Sequence, residues 1–284
     1  MRVRTLAFLF ALTSTALAVG QQASIAQETI VVPSGKLRLK AFLWKPTGPG
    51  PFPAVLFCHG SGGADAGHTA GLPITEAGEK LATLFLKHGY AFMYLFRRGQ
   101  GLSADQGRFM QNILQHEETA KGKEARQHLQ FVLASTDHLD DVMAGLSFLK
   151  AVPVIDAKRV AIAGHSFGGQ LTLLAAERDD TLRAAVAFAA AANSWEQSSE
   201  LRERLLTAVN KATAPIMLIH AANDYSTAPG YALASELDRL HKPHLLKVYP
   251  PVGRTSEDGH NFLYLASPRW EDDVFKFLDE HVKQ

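Results

Sequence analysis

The stretch Arg159-Val160-Ala161-Ile162-Ala163-Gly164-His165-Ser166-Phe167-Gly168-Gly169 decides how this chain is read. An apolar run breaks into Gly-x-Ser-x-Gly, and apolar character then resumes at Leu171, Leu173, Leu174 and Ala175. That order predicts a strand, a sharp turn and a buried helix, the arrangement called a nucleophile elbow. Such a turn holds its serine in a strained backbone conformation, so its neighbours must be small, and Gly164 and Gly168 meet that need. The Ser166 hydroxyl is then exposed at the C-terminal edge of a sheet. The five-residue pattern alone is weak, because glycine and serine are common loop residues. The flanking strand and helix give it weight.

Working outward, short apolar runs alternate with longer helical patterns, as in a mainly parallel sheet covered by helices. Residues 28–32 and 36–44 read as an opening antiparallel hairpin around Pro33-Ser34-Gly35. Runs at 54–58, 91–96, 160–163, 184–189, 216–219 and 245–249 read as the following strands, about eight in all. Helical patterns fall at 76–88, 138–150, 167–178, 200–210, 231–241 and 270–282. Residues 104–136 exceed what this alternation needs and predict one or two helices broken near Gly122. They leave from a strand's C-terminal end, where ligands bind in open α/β sheets, so a cap over the site is expected. Its apolar positions Phe109, Ile113 and Leu114 are the expected lining of an acyl pocket.

A serine hydroxyl needs a base within reach and an acid behind that base. In this topology the partners follow in the order serine, acid, histidine, on loops after later strands. Asp224 comes just past the 216–219 run, and His260 lies in the loop after 245–249. The chain holds 12 histidines, so it is order and placement that single out His260. Asp258 competes with Asp224, but it would have to fold back across its own short turn. His165 reads as a packing or locally bonded residue and His220 as structural. Acyl transfer also needs donors aimed at the developing oxyanion. Phe167 offers the amide after the nucleophile. The glycine-rich loop His59-Gly60-Ser61-Gly62-Gly63 offers a second donor at Ser61, with Gly62 as the alternative. Arg97 and Arg98 read as loop braces, Arg98 through a carboxylate pair. Asp140, Asp141 and Asp156 read as helix-surface and turn residues.

Composition sets the remaining bounds. The 284 residues are 46% hydrophobic and 20% charged, with net charge +1, as in one medium globular domain. Near-neutral charge gives no electrostatic case for a nucleic-acid partner. No His/Cys/Glu cluster has metal spacing and no phosphate loop is present, so neither metal nor cofactor is expected. The single cysteine, Cys58, sits in an apolar run and reads as a buried strand residue. Arg2 and Arg4 precede an apolar run over residues 6–19, and small residues follow at Ala16-Leu17-Ala18 and Ser24-Ile25-Ala26. This is the order of a secretory signal peptide over residues 1–26, cleaved after Ala26 or else Ala18. The run is short for a membrane span, which needs about 20 apolar residues, so an exported protein without stable membrane insertion is expected. Oligomeric state is not legible.

The quoted motifs, together with Arg98-Gly99-Gln100-Gly101, resemble the α/β-hydrolase superfamily, most closely its dienelactone-hydrolase-like and prolyl-oligopeptidase-like branch. The resemblance covers nearly all of residues 27–284. It implies a triad of Ser166, Asp224 and His260 with no cofactor, acting on a small-molecule substrate. Two departures narrow it. Dienelactone hydrolases proper use cysteine where Ser166 stands, so lactone specificity is not carried over. The oligopeptidases of the branch carry a large N-terminal propeller, for which this sequence leaves no room. Both departures favour a carboxylic ester hydrolase over a small peptidase or amidase with the same triad. A non-catalytic binding protein on this scaffold is disfavoured by the intact serine, acid and histidine.

Overall fold

A computed structural model describes residues 27–62 and 65–284. The signal-peptide reading of residues 1–26, and Gly63 of the glycine-rich loop, lie outside the described residues. The chain opens with the antiparallel hairpin β1 (Gln27–Ser34) and β2 (Leu37–Trp44), turned at Gly35, whose φ of +56° suits a residue without Cβ. Next come β3 (Phe52–Cys58), a two-residue ladder of β4 (His68–Thr69) with β5 (Leu72–Pro73), α1 (Ile74–Lys87) and β6 (Ala91–Phe96). A 3₁₀ segment (Gly101–Gln106) leads into α2 (Met110–Lys121), α3 (Lys123–Ser135) and α4 (Asp137–Lys150). The elbow region follows as β7 (Ile155–His165), α5 (Phe167–Arg178), β8 (Ala185–Phe188) and α6 (Ser199–Lys211). The chain then runs through β9 (Ile216–Ala221), α7 (Ala228–Arg239), β10 (His244–Tyr249), α8 (Ser256–His260), α9 (Phe262–Leu265) and α10 (Ser267–Val282).

Eight strands form one sheet in the order β1-β2-β6-β3-β7-β8-β9-β10. The hairpin joins antiparallel through β2 and β6, and all later neighbours are parallel. Strand alternation divides the core between two faces. Leu56 and Cys58 of β3, with Met93 and Leu95 of β6, pack toward Leu146 of α4, Leu171 of α5 and Leu205 of α6. Val55, Phe57, Phe92 and Tyr94 face the other way, against Phe85 of α1 and Trp270 and Phe275 of α10. Central strands buried on both faces read as continuous apolar runs, which is why the sequence locates β3 and β6 so closely. This is the α/β-hydrolase architecture expected from the sequence.

One strand differs from the sequence reading, and the insertion agrees with it. β7 begins at Ile155, well before residue 160, because Asp156, Lys158 and Arg159 give its exposed start a polar character. The insertion is two helices, parted at Gly122 with φ +93°, as the glycine suggested. Met110, Leu114 and Ala134 anchor it in the core beneath.

Candidate active site

Strand register brings the functional loops to one edge. Cys58 on β3 pairs with Gly164 on β7, and His165 pairs with Phe188 on β8. The loops after β3, β7 and β8 therefore leave the sheet level with one another. At the far side, Val248 and Tyr249 of β10 pair with His220 and Ala221 of β9, which sets the Asp224 and His260 loops side by side. This is the C-terminal edge of the parallel strands.

Ser166 has φ +56° and ψ −118°, a conformation that a non-glycine residue rarely adopts. Its amide donates to Phe188 O at 2.8 Å, and its carbonyl accepts from Gln170 N at 3.1 Å, so hydrogen bonds on both sides hold the turn. A Cβ on Gly168 would fall deep inside contact with the carbonyl oxygens of Cys58 and His59, and one on Gly164 would meet the Gly168 carbonyl. The two glycines thus let the elbow, its helix and the neighbouring strand approach closely.

The structure brings Ser166, His260 and Asp224 together. His260 Nε2 lies 2.8 Å from Ser166 Oγ, and His260 Nδ1 lies 2.7 Å from Asp224 Oδ1. His220 Nδ1 lies 2.9 Å from Asp224 Oδ2, and the Tyr225 amide donates to Oδ1 at 2.8 Å. Burial works to raise the Asp224 carboxyl, but hydrogen bonds from His220 and His260 outweigh it and hold the group below the usual carboxylate range. An ionised carboxylate only accepts, so both imidazoles donate from Nδ1. That fixes the His260 tautomer with a bare Nε2 facing the serine hydroxyl. The arrangement can take a proton from Ser166 and hold the resulting imidazolium beside a buried carboxylate.

Other bonds set these loops in place. Asn223 Nδ2 donates to the carbonyls of Val252 and Thr255, each at 2.8 Å, and binds the acid loop to the histidine loop. His165 Nε2 lies 2.8 Å from the His260 carbonyl oxygen, so its bond is not local but reaches across the site. Burial pushes this imidazole down to about 3, with the neighbouring His260 acting in the same direction, and it stays a neutral donor. Asp258 is committed elsewhere, closing a capping box with Thr255 at the start of α8. Asp224 is therefore the acid that reaches His260.

Phe167 opens α5, so its N–H is among the first-turn donors that lack an intrahelical partner. Ser61 and Phe167 wall the same recess as Ser166. Behind Ser61 lies Arg97, fully buried, which donates to His59 O at 2.7 Å, Gly60 O at 2.8 Å and Gln100 Oε1 at 3.2 Å. Its guanidinium carbon stands 5.4 Å from the Phe167 ring centre. Burial lowers its pKa to about 10, and it remains a cation. Gln100 Nε2 completes the support by donating to Ser61 O at 2.9 Å.

Several sequence expectations need correction. Asp141 is not a surface residue: it is fully buried and receives a two-pronged bond from Arg98 at 2.8 and 2.9 Å, with Ser34 Oγ at 2.9 Å. The carboxylate pair expected of Arg98 is this one. The apolar trio of the insertion does not line the site. Leu114 sits in the core, Phe109 packs toward the Gly62 turn, and Ile113 is absent from the walls of the cleft. The insertion instead contributes Gln111 and Arg126 to a cleft of about 340 Å³ containing Ser166 and His260. His220, a structural residue by its place at a strand end, also bonds the acid, a link hinted at only by its position four residues before Asp224. Among the described residues no group of three or more His, Cys, Asp or Glu side chains is placed to hold a metal ion, and no helix is long and apolar enough to cross a membrane.

Comparison with known proteins agrees with this architecture. The chain matches the profile of the dienelactone hydrolase family over residues 39–264. It is 27% identical over 153 residues to the quorum-quenching protein AidA of Acinetobacter baumannii (strain MDR-ZJ06), covering 54% of this chain and 40% of AidA. The chain thus spans less than half of that relative's length. Among solved structures, an acylaminoacyl peptidase of Pyrococcus horikoshii superposes with a TM-score of 0.66 at 19% identity, over 92% of this chain and 42% of the peptidase. Est1E of Butyrivibrio proteoclasticus, solved with ferulic acid bound, gives 0.62 at 17% identity, over 90% of this chain and 100% of Est1E. At such identities these structures speak to the fold alone.

Proposed function

Because this chain belongs to the dienelactone hydrolase family, we propose that it is an exported serine hydrolase that cleaves carboxylic esters through an acyl-enzyme. The relay Ser166–His260–Asp224, at 2.8 and 2.7 Å, is the observation that carries this reading. Ser166 Oγ attacks the ester carbonyl carbon while His260 Nε2 takes the hydroxyl proton. The carbonyl oxygen becomes an oxyanion held by the Phe167 and Ser61 amides. Collapse of the tetrahedral adduct breaks the carbon–oxygen bond, and His260 returns the proton to the departing alcohol. Water then enters by the same steps in reverse order and releases the acid. Asp224 keeps the imidazole in its working tautomer throughout, and His220 holds the far oxygen of that carboxylate.

The test joins labelling to turnover. A fluorophosphonate probe should add to Ser166 by mass spectrometry and leave a folded Ser166→Ala protein unmodified. A panel of matched p-nitrophenyl esters and p-nitroanilides should show turnover of the esters. Labelling at another residue, or ester turnover retained in Ser166→Ala, removes the serine from this role; anilides preferred over esters make the protein an amidase. Export rests on Arg2, Arg4 and the apolar run over residues 6–19. The intact mass of protein recovered outside the cytoplasm should begin near Gln27 or Val19, and a retained Met1 on soluble cytoplasmic protein would contradict export.

A further inference from the structure

The space beside the nucleophile is walled mostly by groups that hydrogen-bond, with Phe167, Ala191 and Ala192 its apolar members. A recess of about 100 Å³ runs from Ser166 and Phe167 toward the insertion, between Gln111, Arg126, Gln130, Gln170, Asn193 and Ser194. Gln170 lies one turn beyond Ser166 on α5 and is 3% exposed. Its Nε2 donates to Ser194 Oγ at 3.0 Å, while its Oε1 has no partner among the described residues. Exchanging the amide's oxygen and nitrogen does not remove the vacancy, because Ser194 can satisfy only one end. A buried amide left half-paired is costly unless something binds there.

Arg126 points to the same kind of occupant. Its Nε pairs with Glu118 at 3.1 Å, whereas its terminal nitrogens reach Gln130 and Gln111 only at 3.4 and 3.5 Å, the outer edge of hydrogen bonding. Those donors have capacity to spare. An anionic group bound there would meet a cation already paired with Glu118, with the Glu257 carboxylate in the adjoining cleft. A saturated acyl chain would strip water from Arg126, Asn193 and Gln170 and give nothing in return. A hydroxyl both donates and accepts, so it matches a recess whose wall carries both an unpaired amide and spare guanidinium N–H groups.

We propose that this recess is a subsite for a neutral, hydroxyl-bearing group, so that the preferred substrate is an ester of a polyol or of a hydroxy acid. The inference rests on the ester-hydrolase reading above. Two matched pairs test it by pH-stat titration: ethyl butyrate with ethyl 3-hydroxybutyrate, and propyl butyrate with glycerol 1-monobutyrate. The hydroxylated member of one pair should be preferred by about tenfold in kcat/KM, the worth of one good neutral hydrogen bond. The pair that shows it tells whether the acyl or the alcohol side enters the recess. In Gln170→Leu that ratio should fall to near unity, with fluorophosphonate labelling reporting that the protein is folded. Should Gln170→Leu not fold, Arg126→Gln on the exposed side of the recess should lower the same ratio several-fold. No preference in either pair, or one that survives the substitution, overturns the subsite while leaving ester hydrolysis standing. Failure to hydrolyse any of the four esters sinks the ester reading and the subsite with it.

Discussion

Arg97→Met is the substitution that separates holding the proposed oxyanion loop from merely filling the core. Arg97 is fully buried and donates to the carbonyls of His59 and Gly60 at 2.7 and 2.8 Å. Methionine would leave the His59 oxygen without that donor, at about 1–3 kcal/mol. The Gly60 oxygen would keep only the His59 Nδ1 contact at 2.8 Å, at a smaller cost. Part of this returns, because methionine does not require a charge to be desolvated. The net loss should be roughly 1–3 kcal/mol, each kcal/mol being about 2–4 °C in Tm for a domain of this size. Catalysis should suffer separately. The Gly60 carbonyl and the Ser61 amide share one planar peptide and point opposite ways, so fixing the first aims the second. A loosened Ser61 donor should lower kcat by about 10- to 100-fold, below the 10²–10³ of outright donor loss, with little change in KM. The assay is p-nitrophenyl butyrate kinetics well below the variant's own Tm, with Arg97→Lys alongside to restore part of the donor set. A lowered Tm with unchanged kcat would refute the argument about the loop. An unchanged Tm as well would show that the carbonyls find other partners.

Other expectations follow from burial and close approach. His59, His138 and His165 are all held neutral, in each case first by burial. The unfolded chain therefore binds protons that the folded one refuses once pH drops below about 6.5. Stability should fall on acidification from there toward pH 3, by up to about 4 kcal/mol per pH unit where all three act, and a flat urea-denaturation series between pH 6 and 5 would count against it. The Asp224 contribution is lost only at lower pH, since its folded pKa is depressed. Gly168→Ala should cost more than about 4 kcal/mol or prevent folding, because its Cβ would strike backbone oxygens of β3 that cannot move independently; a soluble variant of normal Tm would refute this contact. Leu114→Ala should lower stability by about 2–5 kcal/mol as a core deletion and leave acyl-chain preference unaltered, which an ester series of increasing length would check.

The sequence exposes most strongly what is buried on both faces or constrained by backbone geometry. Helix α5 was located to the residue because Gly164, Ser166 and Gly168 punctuate its start and an apolar run continues it. The convergence of Ser166, Asp224 and His260 was legible because chain order follows the order of parallel strands. The bond from His165 to the His260 carbonyl was not legible, since it depends on which loops the strand register brings level. Nor was the bond from His220 to Asp224, which depends on the turn that folds the acid back over the end of β9. Asp141 misled for a related reason. A carboxylate early in a helix reads as a surface residue unless one knows that Arg98, just past β6, and Ser34 of β1 converge on it.

The insertion shows most clearly where periodicity stops being informative. Helical spacing marks Phe109, Ile113 and Leu114 as apolar positions, but spacing cannot say what each of them meets. A surface insertion must bury its apolar stripe against its own support, and here the stripe goes down into the α4–α5 side of the core. The face left for the site is the adjoining one, which carries Gln111 on α2 and Arg126 and Gln130 on α3. Placing Leu114 in the pocket assigns to a ligand a residue that holds the helices in place. An apolar stripe on a capping helix first reports attachment, and the chemistry of the substrate is to be sought in the polar residues beside it.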